Sequence, residues 1–159
     1  MRPAGNSASW FFRPLMTDGI MEAKSVVKGF IEEIINTGRV EDIGMYISSD
    51  YEEVHEGVRH RIGIKGAVDH VLGVRKAYPD LHLRIDQQIE EGEWVATCIT
   101  VTGTFETDWL GIKATGKKIT YTGVNINRVV DGLIVEHGGA ANMLGPLLEA
   151  GVVKVNLES

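Results

Sequence analysis

Two periodicities divide the chain. Ile20, Ala23, Val27, Phe30, Ile31 and Ile34 recur at three- and four-residue intervals, which is the spacing of one helical face. Asp18 is placed to cap this first helix and Gly38 to stop it. Val40, Ile43 and Ile47 predict a short second helix ending near Ser48-Ser49-Asp50, after which Tyr51 to Glu56 reads as a short strand. Ile64, Ala67, Val68, Val71, Val74 and Tyr78 predict a third helix. Pro79 ends it, because the residue before proline is pushed out of helical geometry.

From Leu81 the period becomes two. Leu83, Ile85, Gln87 and Ile89 alternate with Arg84, Asp86, Gln88 and Glu90, so the first set is expected to face the core. Glu91-Gly92-Glu93 turns into a strand from Trp94 to Thr104 that is rich in β-branched residues. A polar connector, Glu106 to Gly116, carries the apolar anchors Trp109, Leu110 and Ile112. Lys118 to Val130 is the longest strand, Asp131-Gly132 turns it into Leu133 to His137, and a last helix runs from Asn142 to Ala150 and stops at Gly151. Helices followed by a meander of long antiparallel strands mark an α+β fold. Its sheet is expected to bend over one apolar helix face and to leave a pocket at the centre.

With 159 residues and 43% hydrophobic composition, the chain suits one domain that buries about two thirds of its unfolded surface. Residues 1–16 read as a loose arm ahead of that domain, which spans 17–159. The patch Trp10-Phe11-Phe12 is cut by Arg13-Pro14 well short of a secretory apolar core; the alternative is that it docks on a subunit neighbour. The formal charge of -6 and the scatter of 16 Lys and Arg residues exclude a phosphate-backbone footprint, so no nucleic-acid partner is expected. A single cysteine, Cys98, excludes an internal disulfide framework and fits a reducing compartment; the expected location is the cytoplasm. No apolar run reaches the roughly 18 residues of a membrane span.

Asn125, Asn127 and Tyr121 share one side of the longest strand. Buried amides need partners, so this side is read as a pocket wall that hydrogen-bonds ligand carbonyls, with a solvated face or a polar dimer interface as the alternative. His55, at the end of the first short strand, is a candidate proton carrier because an imidazole titrates near neutrality; otherwise it pairs at the surface with Glu52, Glu53 or Glu56. His137 shares the face of Leu133 and Val135 and is either a base or a satisfied core histidine, while Glu136 points the other way. Trp109 and Ile112 are expected over the pocket mouth. Cys98 reads as a small hydrophobe. Neither Asp80 with His82 nor Glu136 with His137 has the spacing of converging metal ligands, so no metal is expected.

Several stretches together resemble the SnoaL-like polyketide cyclases of the nuclear-transport-factor-2-like superfamily. They are Ala77-Tyr78-Pro79-Asp80-Leu81, Glu91-Gly92-Glu93-Trp94-Val95-Ala96, Gly103-Thr104, Leu110-Gly111-Ile112 with Thr115-Gly116-Lys117, Arg128-Val129-Val130-Asp131-Gly132 with Ile134-Val135-Glu136-His137, and Leu147-Leu148 with Gly151. The resemblance spans Ile20 to Gly151. It implies a cone-shaped barrel in which a curved, mostly antiparallel sheet wraps three N-terminal helices, a homodimer formed through the sheet, and no metal or organic cofactor. It also implies an intramolecular aldol ring closure, in which a carboxylate or its equivalent takes a proton from a carbon flanked by carbonyls.

The chain departs from that pattern where the acids stand. After Glu136-His137 the family continues with a tryptophan and an acid and, a few residues later, another acid; here Gly139 and Asn142 occupy the acid positions, and Phe105 replaces a histidine after Gly103-Thr104. The expectation is therefore a protein that binds a small apolar or polyketide-like carbonyl compound. Cofactor-free cyclisation or isomerisation would use His55 or His137 for the proton and Asn125, Asn127, Tyr121, Trp109 and Asn142 for the ligand. The alternative is a non-catalytic ligand-binding or dimer-scaffold protein.

Overall fold

A computed structural model describes residues 16–17, 20–149 and 151–155. The N-terminal arm up to residue 15, with its aromatic patch, the Asp18 cap and the end of the last helix at Ala150 lie outside the described residues. Two-residue strands β1 (Met16–Thr17) and β2 (Ile20–Met21) pair with each other, so Ile20 belongs to a strand and not to the first helix. That helix, α1, starts at Ala23 and runs to Gly29 before widening into a π-helical stretch, Phe30–Ile35.

The second helical block is a 3-10 helix, Val40–Met45, and Ile47 opens strand β3 (Ile47–His55) where the apolar spacing predicted a helix end. A hairpin turn at Glu56-Gly57, with φ of 51° and 79°, leads into β4 (Val58–Arg61), which the sequence pattern did not reveal because all four of its residues are exposed. Helix α2 (Gly63–Ala77), β5 (His82–Glu91), β6 (Trp94–Thr104), β7 (Lys118–Val130), β8 (Leu133–Ala141) and α3 (Leu144–Glu149) follow. Asp131 and Gly132, with φ of 50° and 76°, form the expected turn between β7 and β8. β8 continues four residues past His137, because Gly138 to Ala141 stay in register with β7.

The other six strands form one curled sheet in the order β4-β3-β8-β7-β6-β5. β3 and β8 run parallel and the other neighbours antiparallel; among the described residues β4 and β5 do not pair, so the curl is an open half-cone. α1 and its π extension lie in the concavity. Val26, Val27, Ile31 and Ile34 are almost fully buried there in one core with Val95, Ile99, Val129 and Ile134. The end of this helix is tied to β5: Asn36 donates to the Leu83 carbonyl at 2.9 Å and accepts from its N–H at 2.8 Å. Arg75 of α2 donates to the Ile35 and Asn36 carbonyls, each at 3.0 Å, satisfying acceptors that a helix end leaves without partners.

Bulges change which residues face inward. In β5 the register shifts between Ile85 and Gln87, and the alternation inverts beyond it. Gln88, not Gln87, turns in and donates to Thr97 Oγ1 at 3.2 Å, while Ile89 is 58% exposed, against the expectation for both. In β8, Val129 pairs with Ile134 but Arg128 with Glu136, leaving Val135 as the extra residue. Ile134 and His137 therefore face inward together, where regular alternation had put His137 with Leu133 and Val135.

Truncating the centre of this core should be costly. Ile34→Ala, at a side chain with 0% exposure, is expected to lower stability by about 2–5 kcal/mol, read as a drop in the urea midpoint with an unchanged slope.

Candidate active site

The curl leaves a cavity of about 310 Å³ between the concave sheet and the helices. Apolar side chains, among them Val27, Phe30, Ile31, Leu83, Ile99 and Val101, form most of its wall. The polar residues gather around β3, β8 and β7. Parallel pairing sets Glu53 beside His137, and antiparallel pairing sets His137 beside Asn127, so three neighbouring strands present a carboxylate, an imidazole and an amide in one row. His70 reaches the same end of the cavity from α2, His55 from the end of β3, and Asn125 and Tyr121 from further along β7.

Glu53 is 8% exposed. Its Oε1 lies 3.4 Å from His70 Nδ1 and its Oε2 lies 3.2 Å from His55 Nε2. Burial pushes its pKa up, but the hydrogen bond and charge of His70, followed by the hydrogen bond of His55, more than reverse this and hold it at about 2. Glu53 is thus an anion across the physiological range. In return, the hydrogen bond to Glu53 raises the pKa of His70 against the opposing effect of burial.

His137 is in the opposite condition. Its ring borders the cavity but is enclosed by protein, and this burial pushes its pKa down to about 4, leaving it uncharged at neutral pH. Its Nδ1 lies 3.1 Å from Nδ2 of Asn127, which is 2% exposed. An amide nitrogen can only donate, so His137 accepts at Nδ1 and carries its proton on Nε2. The result is a neutral hydrogen-bond donor a strand away from a fixed negative charge.

Two residues expected at the ligand are not among the residues lining the cavity. Trp109 lies on α2, where a Cβ added at Gly73 would come within 2.6 Å of the indole, and its ring meets His70 edge-on at 6.5 Å. Asn142 is exposed and uses its backbone N–H to bond the Thr122 carbonyl at 2.8 Å. Phe105 is buried and stacks on Tyr78 at 5.0 Å between centroids. Glu136 faces away from the cavity and pairs with Arg59 at 3.3 Å. Cys98 is half-buried on the outer side of β6, opposite Val124. Among the described residues, no group of three His, Cys, Asp or Glu side chains is arranged to hold a metal ion.

Gly139 cannot carry an acid in this backbone, because any Cβ there would collide with the Val124 carbonyl oxygen. The buried carboxylate comes instead from the neighbouring strand. Sequence reasoning took Glu53 for a surface partner and passed over His70. Both signals were present: Glu53 shares strand parity with Tyr51 and His55, and His70 lies three residues from Ala67 and four from Val74 on the apolar face of α2.

These shifts set the pH dependence of stability. His137 is held at about 4 against an unfolded value near 6.5, so the unfolded chain takes up the proton first and stability falls as pH drops through that interval. Glu53, at about 2 against an ordinary value near 4.3, extends the loss below about pH 4.3. His70, raised, acts in the other direction: its contribution is present below about 6.5 and is lost as pH rises through its folded pKa. Urea midpoints followed through this range should show the upper acid step flattened in His137→Gln.

The family pattern for SnoaL-like polyketide cyclase matches residues 25–149. Aklanonic acid methyl ester cyclase DnrD of Streptomyces peucetius is 26% identical over 124 residues, covering 75% of this chain and 84% of the relative. Nogalonic acid methyl ester cyclase of Streptomyces nogalater is 28% identical over 120 residues, covering 73% and 88%. The crystal structure of AclR from Streptomyces galilaeus superposes with a TM-score of 0.72 at 28% identity, covering 83% of this chain and 97% of that one. With the family pattern matched over most of its length, the chain belongs to the SnoaL-like polyketide cyclase family.

Proposed function

We propose that the protein takes a small, apolar, carbonyl-bearing compound of polyketide type into this cavity and closes a ring in it by cofactor-free proton transfer. The observation that carries this reading is the pairing, within one largely aliphatic cavity, of an ionised carboxylate braced by imidazoles with an uncharged imidazole donor. An aldol closure needs a group to accept a proton from carbon and a donor where enolate charge develops. His137 Nε2–H, its tautomer set by Asn127, suits the second task, with Asn125 and Tyr121 contacting the remainder of the ligand. His55, at the rim, braces Glu53. The volume lies at the small end of the roughly 300–1,000 Å³ usual for small-molecule sites, which favours a compact substrate. The methyl esters named for the two relatives suggest the type to try first.

The test is turnover of β-keto methyl esters that carry a further ketone within ring-closing reach, monitored by loss of the open-chain compound and by deuterium uptake at the carbon between the ester and keto carbonyls. Asn127→Leu, which removes the donor to His137 Nδ1, is expected to lower kcat by about 100-fold, as loss of an oxyanion-stabilising group does. A wild-type protein that binds these esters yet exchanges no deuterium would instead be a ligand-binding protein.

We also propose that two copies associate through the outer face of the sheet. Trp94, Val124 and Ile126 are 41%, 39% and 38% exposed there, on paired strands, and clustered exposed apolar residues on a sheet usually mark a contact. Arg128, 6.0 Å from the Trp94 ring and paired with Glu93 at 2.8 Å, would border the contact. Sedimentation should show a dimer for the wild type and a monomer for Ile126→Glu; a monomeric wild type would rule the contact out.

A further inference from the structure

Resting on the ring-closure reading above, we infer that His70 is the residue that takes the proton from the substrate carbon and that Glu53 positions it for this task. Among the described residues, the imidazoles bordering the cavity are His55, His70 and His137. His137 has its Nδ1 committed to Asn127. His55 meets Glu53 through Nε2, its outer nitrogen, and has a side chain 63% exposed. His70 meets Glu53 through Nδ1, which leaves the outer nitrogen, Nε2, as the one able to accept a proton from a ligand. A carboxylate on Nδ1 sets that tautomer and stabilises the imidazolium that forms.

The ring also has an aromatic neighbour. Trp109 meets it edge-on, at an interplanar angle of 66°, and lies over Gly73, one turn further along α2. A side chain at 73 would displace the indole, so the imidazole is oriented between a carboxylate from β3 and an indole from the connector. This gives Trp109 a role in the site although it does not line the cavity.

The chemistry balances without a co-reactant. His70 Nε2 takes the proton of the carbon between two carbonyls, and the electron pair of the broken C–H bond becomes an enolate whose oxygen faces His137 Nε2–H. The enolate carbon forms a C–C bond to a ketone of the same molecule. That ketone's π pair becomes an alkoxide, which takes the proton back from the His70 imidazolium. The product is an isomer of the substrate and His70 is restored.

The ionisable groups facing the couple are Tyr51 and His55 from β3, His60 from β4 and His137 from β8. Tyr51 stays neutral, raised by burial and then by the charge of Glu53. His70 works as a base only when unprotonated, so the rate should rise with pH through a midpoint above the ordinary histidine value. Because Glu53 is what raises that midpoint, Glu53→Gln should move it down.

The experiment uses the full chain and a β-keto methyl ester that carries a further ketone within ring-closing reach, with circular dichroism confirming the fold of each variant. His70→Ala should lower plateau kcat at least about 100-fold, with KM within about threefold, and added imidazole should restore part of the loss. His70→Gln should be equally slow but should not differ in fold, and Glu53→Gln should show the lowered midpoint, with Glu53→Asp in between. A His70→Ala enzyme within threefold of an active wild type would overturn this inference and leave the ring-closure reading standing. An unmoved midpoint in Glu53→Gln would remove the positioning role of the carboxylate. A wild type inert towards every such ester would overturn the ring-closure reading and the inference with it.

Discussion

Burial of the Glu53 carboxylate is the constraint on which the arrangement around the cavity depends. A carboxylate taken out of water without partners costs several kcal/mol or gives up its charge, so its neighbours must arrive in fixed places. Here they come from β3 itself, through His55, and from α2, through His70. The parallel pairing of β3 with β8 then puts His137 alongside, and pairing of β8 with β7 adds Asn127. Moving any one of these elements by a residue would leave a buried charge or a buried amide without a partner.

The same row separates two imidazoles by environment. His70 lies against an anion and becomes a stronger base, while His137 is enclosed beside an amide and becomes an uncharged donor. Groups of one chemical kind are thus pushed apart in protonation state by what touches them, which is the usual way a site obtains an acid and a base at one pH. The glycines of β8 fit this picture. The Val124 carbonyl excludes any side chain at Gly139, and a Cβ at Gly138 would press on Val54 at 3.3 Å, so just past His137 β8 contributes backbone to the wall while β3 contributes the acid.

Much of this was legible along the chain. The boundaries of β6 and β7 and the turn at Asp131-Gly132 follow from alternation and from residues that tolerate positive φ. The shared side of Tyr121, Asn125 and Asn127 follows from the two-residue period of an unbroken strand, and all three border the cavity. Less legible was anything past an irregularity. Gln88 and His137 both lie beyond bulges, and a single added residue reverses the side on which every later side chain stands. β4 was missed because an edge hairpin with all its residues exposed has no apolar period to read.

By itself, the amino-acid order determined the α+β class, the concave sheet over an apolar helix and the polar side of the longest strand, because each of these is written in local periodicity. The tertiary structure alone decided that Glu53 is a buried anion and not a surface charge, that His70 stands against it from 17 positions further along the chain, and that Trp109 meets the His70 ring edge-on. Those outcomes depend on which distant segments meet, and burial, charge and pKa belong to the meeting and not to any one segment.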